Sequence, residues 1–221
     1  MQFIYGEFAG EQEVEVSIKE YAHIFKVRRV DKNKPLFWRN LRDDYLYEYA
    51  IKSIDKKSST LILKDKKRFD KKTKSSLTVG WCVVDPKVIE KQISMLNEMG
   101  VKRVVFVYAD FSQNNFKIDL KRLNRILINS CEQCGRSDLM EIETLMSVKE
   151  FLDKYPKSIV IDFVDTLLGD SFVESFLVGP EGGFSKSERE LFKKEQVFRL
   201  KSENILKSQT AVVGVCAKIL L

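Results

Sequence analysis

Histidine is almost missing from this chain: His23 is the single one in 221 residues. A Ser–His–acid triad therefore has no base to spare, and the commonest zinc ligand is removed. Cysteine is sparse as well, with four residues. Cys131 and Cys134 form one C-x-x-C with no second pair and no histidine nearby. Zinc would need two more ligands, and thiol redox chemistry would need a thioredoxin-like setting. No metal is expected, and the cysteines are read as reduced helix residues of a cytosolic chain. No apolar run reaches the roughly 18 residues of a membrane span, and no signal-peptide pattern opens the chain. A soluble cytoplasmic protein without a membrane partner is expected. A Walker A loop is absent, because Lys186 falls at the wrong spacing, and so is the G-x-G-x-x-G dinucleotide fingerprint.

What is present is unevenly placed. The net charge is +6, and residues 1–80 hold 18 Lys and Arg against 12 Asp and Glu, while residues 81–221 balance at 20 each. The stretch 52–74 alone carries ten basic and three acidic residues. A basic module beside a neutral one suits a polyanion-docking domain attached to a catalytic one. A lysine-rich solvated linker would leave the same mark. Tyr21, Arg28, Arg29, Phe37, Trp38 and Arg39 lie upstream and supply the types that stack on bases and contact phosphates.

The first 65 residues are short aromatic and β-branched runs broken by turn residues, at 14–18, 35–38, 45–51 and 60–63. That spacing predicts a small β-barrel over residues 1–66. A basic linker follows at 67–76. From 77 to 221 the pattern changes to alternating strands and helices: strands at 77–84, 103–108, 159–163 and 175–178, helices at 86–99, 120–133, 148–155 and 186–195. This order predicts an α/β domain with a parallel sheet. A last helix, from about Ser208, is apolar on several sides, with Val213 and Ile219 among its residues. A homodimer interface would explain the extra apolar face.

Residues 177–188 read LVGPEGGFSKSE. A strand runs into a loop with three glycines, and Ser185 and Glu188 form an S-x-x-E capping box, with Ser187 and Glu190 as an alternative register. Bare backbone between a strand end and a helix start is a place for a ligand to lie, although a tight strand–helix turn would read alike.

The loop resembles the GPEGGF loop of the RsmE-type 16S rRNA (uracil-N3)-methyltransferases, members of the SPOUT superfamily. The likeness extends along the chain. The run LKSENIL-KSQTA at 200–211 resembles the family's L-G-x-x-I-L-R-x-E-T-A signature. Residues 132–136, EQCGR, resemble its E-Q-x-G-R motif, and 23–29, HIFKVRR, resemble H-x-x-x-V-L-R. Four motifs stand in the family's order. Departures are Lys207 for arginine, Gln209 for glutamate, Lys201 for glycine, and Asp110-Phe111-Ser112 where the family shows an acidic-Arg-Ser run.

The resemblance implies a trefoil-knotted SPOUT domain preceded by a PUA-like barrel, dimeric, acting on 16S rRNA or the small ribosomal subunit with S-adenosylmethionine. The implied cofactor residues are Ile161, Val178, Gly179, Pro180, Glu181, Gly182, Gly183, Leu200, Asn204, Ile205, Leu206 and Thr210. Lys207, Arg136 and Glu181 are the candidates for catalysis. Lys207 would favour a uracil anion, Glu181 would act as a base or brace the loop, and Arg136 would cap a helix or reach substrate. His23, Arg28, Arg29, Arg39, Lys66, Lys67, Lys71 and Lys72 are expected to face RNA. A SPOUT methyltransferase with another RNA target and an inactive RNA-binding protein remain the alternatives.

Overall fold

The structure is a computed structural model and describes residues 3–22, 24–25, 35–55, 58–113, 115–170 and 172–221. The chain divides into two compact units: residues 1–72 with 128–139, and residues 73–127 with 140–221.

The first unit is built on a five-stranded sheet in the order β1-β3-β4-β5-β2. Its strands are β1 (Ile4–Tyr5), β2 (Glu13–Ser17), β3 (Leu36–Arg39), β4 (Tyr45–Ile54) and β5 (Ser58–Arg68), with a short helix α1 (Ile18–Ala22) after β2. Alternation in β2 turns Val14 and Val16 inward onto a core of Ile4, Leu36, Trp38, Tyr49 and Leu61. Two register shifts in the β4–β5 ladder mark bulges, which bend a sheet toward a barrel-like curl. Strand β5 is longer than expected. Lys67 pairs with Leu46 and Arg68 with Tyr45, so the first two residues of the predicted linker are ladder residues. The long β4 partner satisfies their backbone groups, which polarity alone does not reveal.

Residues 128–139 pack on this unit. Glu132 Oε1 accepts from the Tyr5 amide at 2.7 Å, and Cys131 joins Phe3 and Leu46 in a small apolar cluster.

The second unit carries a six-stranded sheet in the order β11-β9-β10-β6-β7-β8, and all of its ladders are parallel. Its strands are β6 (Thr78–Cys82), β7 (Arg103–Val107), β8 (Glu141–Leu145), β9 (Ile159–Ile161), β10 (Ser175–Val178) and β11 (Val197–Phe198). The helices are α2 (Pro86–Glu98), α3 (Leu120–Cys134, whose last residues belong to the first unit), α4 (Val148–Lys154), α5 (Lys186–Arg189) and α6 (Ser208–Leu220). The central strands β6 and β10 are buried along their whole length, as strands covered on both faces must be. Gly80 is required in β6, since a Cβ there would stand 2.6 Å from the Phe151 ring.

Two elements differ from the expected pattern. Strand β8 was hidden because its Glu141 and Glu143 read as a polar stretch; they pair with Lys102, Arg103 and Lys154 at the sheet edge. Helix α5 stops after Arg189 rather than continuing to 195. Phe192 packs edge-on against Phe184 at 4.9 Å, and Val197 is drawn into the sheet as β11. Tertiary contact there overrides local helical preference.

Candidate functional site

Parallel strands end on one edge of a sheet, and loops beyond those ends are where α/β folds hold ligands. Here the segments after β9, β10 and β11 line one cleft of about 350 Å³. It is walled by Ile161–Phe163, by Val178–Glu181 with Gly183 and Phe184, and by residues 199–200 and 202–208, with Ala211 behind.

The glycine loop is a braced turn. The Gly183 amide donates to the Pro180 carbonyl at 2.9 Å, and Gly183 holds φ 71°, a region open chiefly to glycine. A Cβ on Gly179 would meet the Phe184 ring at 3.1 Å. The tip, Glu181 and Gly182, is exposed, whereas Val178, Gly179 and Pro180 are buried. Beyond the turn the expected Ser185–Glu188 capping box forms. Buried Glu188 also accepts from the Asp110 amide at 2.9 Å, and Asp110 Oδ2 accepts from Ser185 Oγ at 2.5 Å.

Two further ties hold the cleft walls. Ser208 Oγ donates to the Gly179 carbonyl at 2.6 Å and accepts from Trp81 Nε1 at 3.1 Å, joining the start of α6 to the glycine loop and the central strand. Asp162, whose side chain is 6% exposed, takes Arg189 Nε at 2.7 Å and its Nη2 at 3.1 Å. A bidentate pair of this kind fixes geometry as well as charge.

The cleft contains most of the residues expected at the cofactor, together with Lys207. Ile161, Val178, Gly179, Pro180, Glu181, Gly183, Leu200, Asn204, Ile205, Leu206 and Lys207 all line it. Lys207 stands at the N-cap of α6 with an exposed side chain and no side-chain cap bond. Two expected residues are outside the lining. Thr210 is exposed on α6. Gly182 faces Phe111, whose Cβ would lie 3.1 Å from a Cβ placed there, so a larger side chain at this position would press on that residue. Asp162, Phe163, Arg199, Ser202, Glu203, Phe184 and Ser208 line the cleft without having been foreseen. Phe184, Ser202, Glu203 and Ser208 fall inside the two motifs quoted above, whereas Asp162 and Phe163 lay at the end of the strand expected at 159–163 and Arg199 just before the 200–211 run.

Arg136 belongs to the other unit, where it is buried and pairs with Asp138 at 3.0 Å. Arg39 is withdrawn from the expected RNA-facing set. It is wholly buried, donates to the carbonyls of Phe69 and Asp43 at 2.5 and 2.7 Å, and lies over the Phe3 and Phe69 rings. Lys66, Lys67, Lys71 and Lys72 are exposed, three of them over the rings of Tyr45, Phe37 and Phe69, while Lys72 pairs with Asp44 at 2.5 Å. His23, Arg28 and Arg29 lie outside the described residues.

Thiol chemistry has no place at the cleft: burial, with Glu188 adding to it, pushes the Cys82 thiol well above its ordinary value. Among the described residues no cluster of His, Cys, Asp and Glu is arranged to hold a metal, and no helix is long and apolar enough to cross a membrane.

Comparison with known proteins agrees with this geometry. Residues 71–220 match the family described as RNA methyltransferase domain. The chain is 40% identical over 222 residues to Ribosomal RNA small subunit methyltransferase E of Helicobacter pylori, covering 98% of each chain. It is 25% identical over 202 residues to the enzyme of the same name from Aquifex aeolicus, covering 86% of this chain and 87% of that one. In fold it is similar to a probable rRNA-methyltransferase from Porphyromonas gingivalis, with a TM-score of 0.79 at 22% identity over 98% of this chain and 96% of that one. It is also similar to a ribosomal RNA small subunit methyltransferase E from Neisseria gonorrhoeae bound to S-adenosyl methionine, with a TM-score of 0.76 at 20% identity over 98% and 95%. The backbone-walled cleft thus sits inside the matched region, and the chain belongs to the ribosomal RNA small subunit methyltransferase E family of RNA methyltransferases.

Proposed function

We propose that this protein transfers a methyl group from S-adenosylmethionine to N3 of a uridine in 16S rRNA of the small ribosomal subunit. The carrying observation is the cleft, lined by bare backbone at Gly179 and Gly183 and by the apolar side chains of Ile161, Val178, Leu200 and Leu206. A narrow slot of about 350 Å³ with glycine backbone on one wall suits a flat nucleoside bearing a flexible amino-acid arm. The cofactor, when bound, supplies an activated methyl group. The same residues hold and orient the reactants, and orientation alone is worth up to roughly 7–11 kcal/mol in favourable cases.

Uracil N3 carries a proton and is a poor nucleophile until ionised. Lys207 at the cleft wall is the cation proposed to favour the anion, acting as an electrostatic stabiliser. Glu181, exposed at the loop tip, is proposed to receive the proton or to brace the turn. Arg136 is proposed to reach the substrate from a second subunit.

The chain is proposed to be a cytoplasmic homodimer joined through α6, whose Val213, Ala217, Ile219 and Leu220 are only partly covered by their own chain. Gln209 Oε1, buried on that helix without a hydrogen-bond partner, supports an arriving donor. The strand order, with α6 returning to bond Gly179, supports a trefoil-knotted SPOUT topology. The barrel-like unit supports a PUA-like module that docks RNA through phosphates.

A nucleoside digest of rRNA from a strain lacking the gene tests the reaction. Loss of N3-methyluridine from the small subunit, restored by the wild-type gene, is the expected result. Unchanged N3-methyluridine would refute the assignment.

A further inference from the structure

Strands β7 and β10 are both parallel to β6, so their following loops leave the same edge of the sheet. The loop after β7 brings residues 109–112 against the glycine loop. This turn is held on every side. The Ser112 amide donates to the Ala109 carbonyl at 2.9 Å, and buried Ser112 Oγ accepts from the Ala109 amide at 3.2 Å. The Asp110 amide is taken by Glu188, and the Asp110 carboxylate by Ser185 and, at 3.3 Å, by Ser187.

At the centre of this rigid turn Phe111 stands 55% exposed. It belongs to no core cluster, and its ring lies 3.5 Å from where a Cβ on Gly182 would stand. Ala109 and Ser112 on either side are buried. The result is a fixed aromatic face at the tip of the loop whose other wall lines the cleft. Two carboxylates, Asp110 and Glu181, flank that point and disfavour a phosphate there. A base, which needs only a π face, meets no such penalty.

We propose that Phe111 is the platform on which a base of the RNA substrate stacks as the target nucleotide reaches the cleft. The proposal rests on the RNA-methylation reading above. Phe111 is a positioning residue: it has no group to move a proton. Because the turn is already ordered, stacking on it costs little side-chain entropy.

The test uses the full chain with small ribosomal subunits from a strain lacking the gene, and radiolabelled S-adenosylmethionine. Phe111→Leu keeps an apolar contact with Gly182 but removes the π face. Its KM for subunits is expected to rise about tenfold, within the range that losing one base stack produces, with kcat and cofactor affinity unchanged. Phe111→Trp is expected to keep the wild-type KM. Its emission should be quenched by subunits and unmoved by cofactor alone; Trp38 and Trp81 are buried and supply a constant background. A wild-type KM for Phe111→Leu would overturn the proposal. So would a parallel loss of cofactor affinity, which would make Phe111 only a brace for the loop, or a change of oligomeric state by light scattering, which would place the ring between two copies. If the wild type labels no RNA, the reaction assignment fails, and the emission of Phe111→Trp against subunits still decides whether a base stacks there.

Discussion

Ser208→Ala isolates one link between fold and site. Ser208 Oγ receives Trp81 Nε1 and donates to the Gly179 carbonyl, at 3.1 and 2.6 Å. Ser208, Trp81 and Gly179 are all buried, so water cannot replace the lost hydroxyl without opening the structure. Alanine leaves one donor and one acceptor orphaned, each costing about 1–3 kcal/mol, or roughly 2–5 kcal/mol together. The slightly better helix propensity of alanine offsets only a few tenths of that. For a chain of this size each kcal/mol corresponds to about 2–4 °C, so the transition of the second unit should fall by roughly 4–20 °C.

Near-UV circular dichroism, which reports the packed indole, is the readout for melting, and calorimetry is the readout for cofactor. Because Gly179 lines the cleft, freeing its carbonyl should weaken cofactor binding about tenfold, equivalent to about 1.4 kcal/mol. In a Trp81→Phe background the orphaned donor is already gone. Ser208→Ala should then cost about 1–2 kcal/mol less, a coupling typical of groups in one network. Melting indistinguishable from wild type would refute the reasoning, and strict additivity with Trp81→Phe would show that the indole bond contributes nothing.

Lys207→Met should keep cofactor affinity and lose turnover by about 10²–10³, with Lys207→Arg restoring it; steady-state methylation of small subunits checks this, and wild-type turnover for Lys207→Met would shift the role to Glu181 or Arg136. Replacing Lys66, Lys67, Lys71 and Lys72 together by Gln should flatten the salt dependence of RNA binding by about two to three phosphate contacts, less than four because Lys72 is held by Asp44; an unaltered slope would make these lysines a solvated surface. Ile219→Asp should turn a dimer into a monomer by light scattering, since an unpaired buried charge costs several kcal/mol, and a monomeric wild type would refute the proposed interface.

Several features were legible in the sequence because they depend on local chemistry. The alternation of short strands and helices after residue 77 announced an α/β domain with a parallel sheet. Pro86 and the glycines at 100 and 135, with φ of 88° and 84°, bounded α2 and the end of α3 within a residue or two. The capping box at Ser185 and Glu188 marked the start of α5, and the order of motifs pointed to the family. What the sequence did not carry was long-range pairing. Edge strand β8 escaped because it is largely uncovered and is held by its ladder to β7, with Glu141 and Glu143 turned to Arg103 and Lys154. Arg39 looked like a phosphate ligand, but the carbonyls of Asp43 nearby and of Phe69, 30 positions on, captured it inside the barrel-like unit. That Gly182 lies against Phe111, 71 positions earlier in the chain, could not be read from the glycine motif. Composition and periodicity register neighbours a few residues apart. The walls of the cleft are contacts between strand ends dozens of residues apart, and those exist only once the sheet has placed its loops on a single edge.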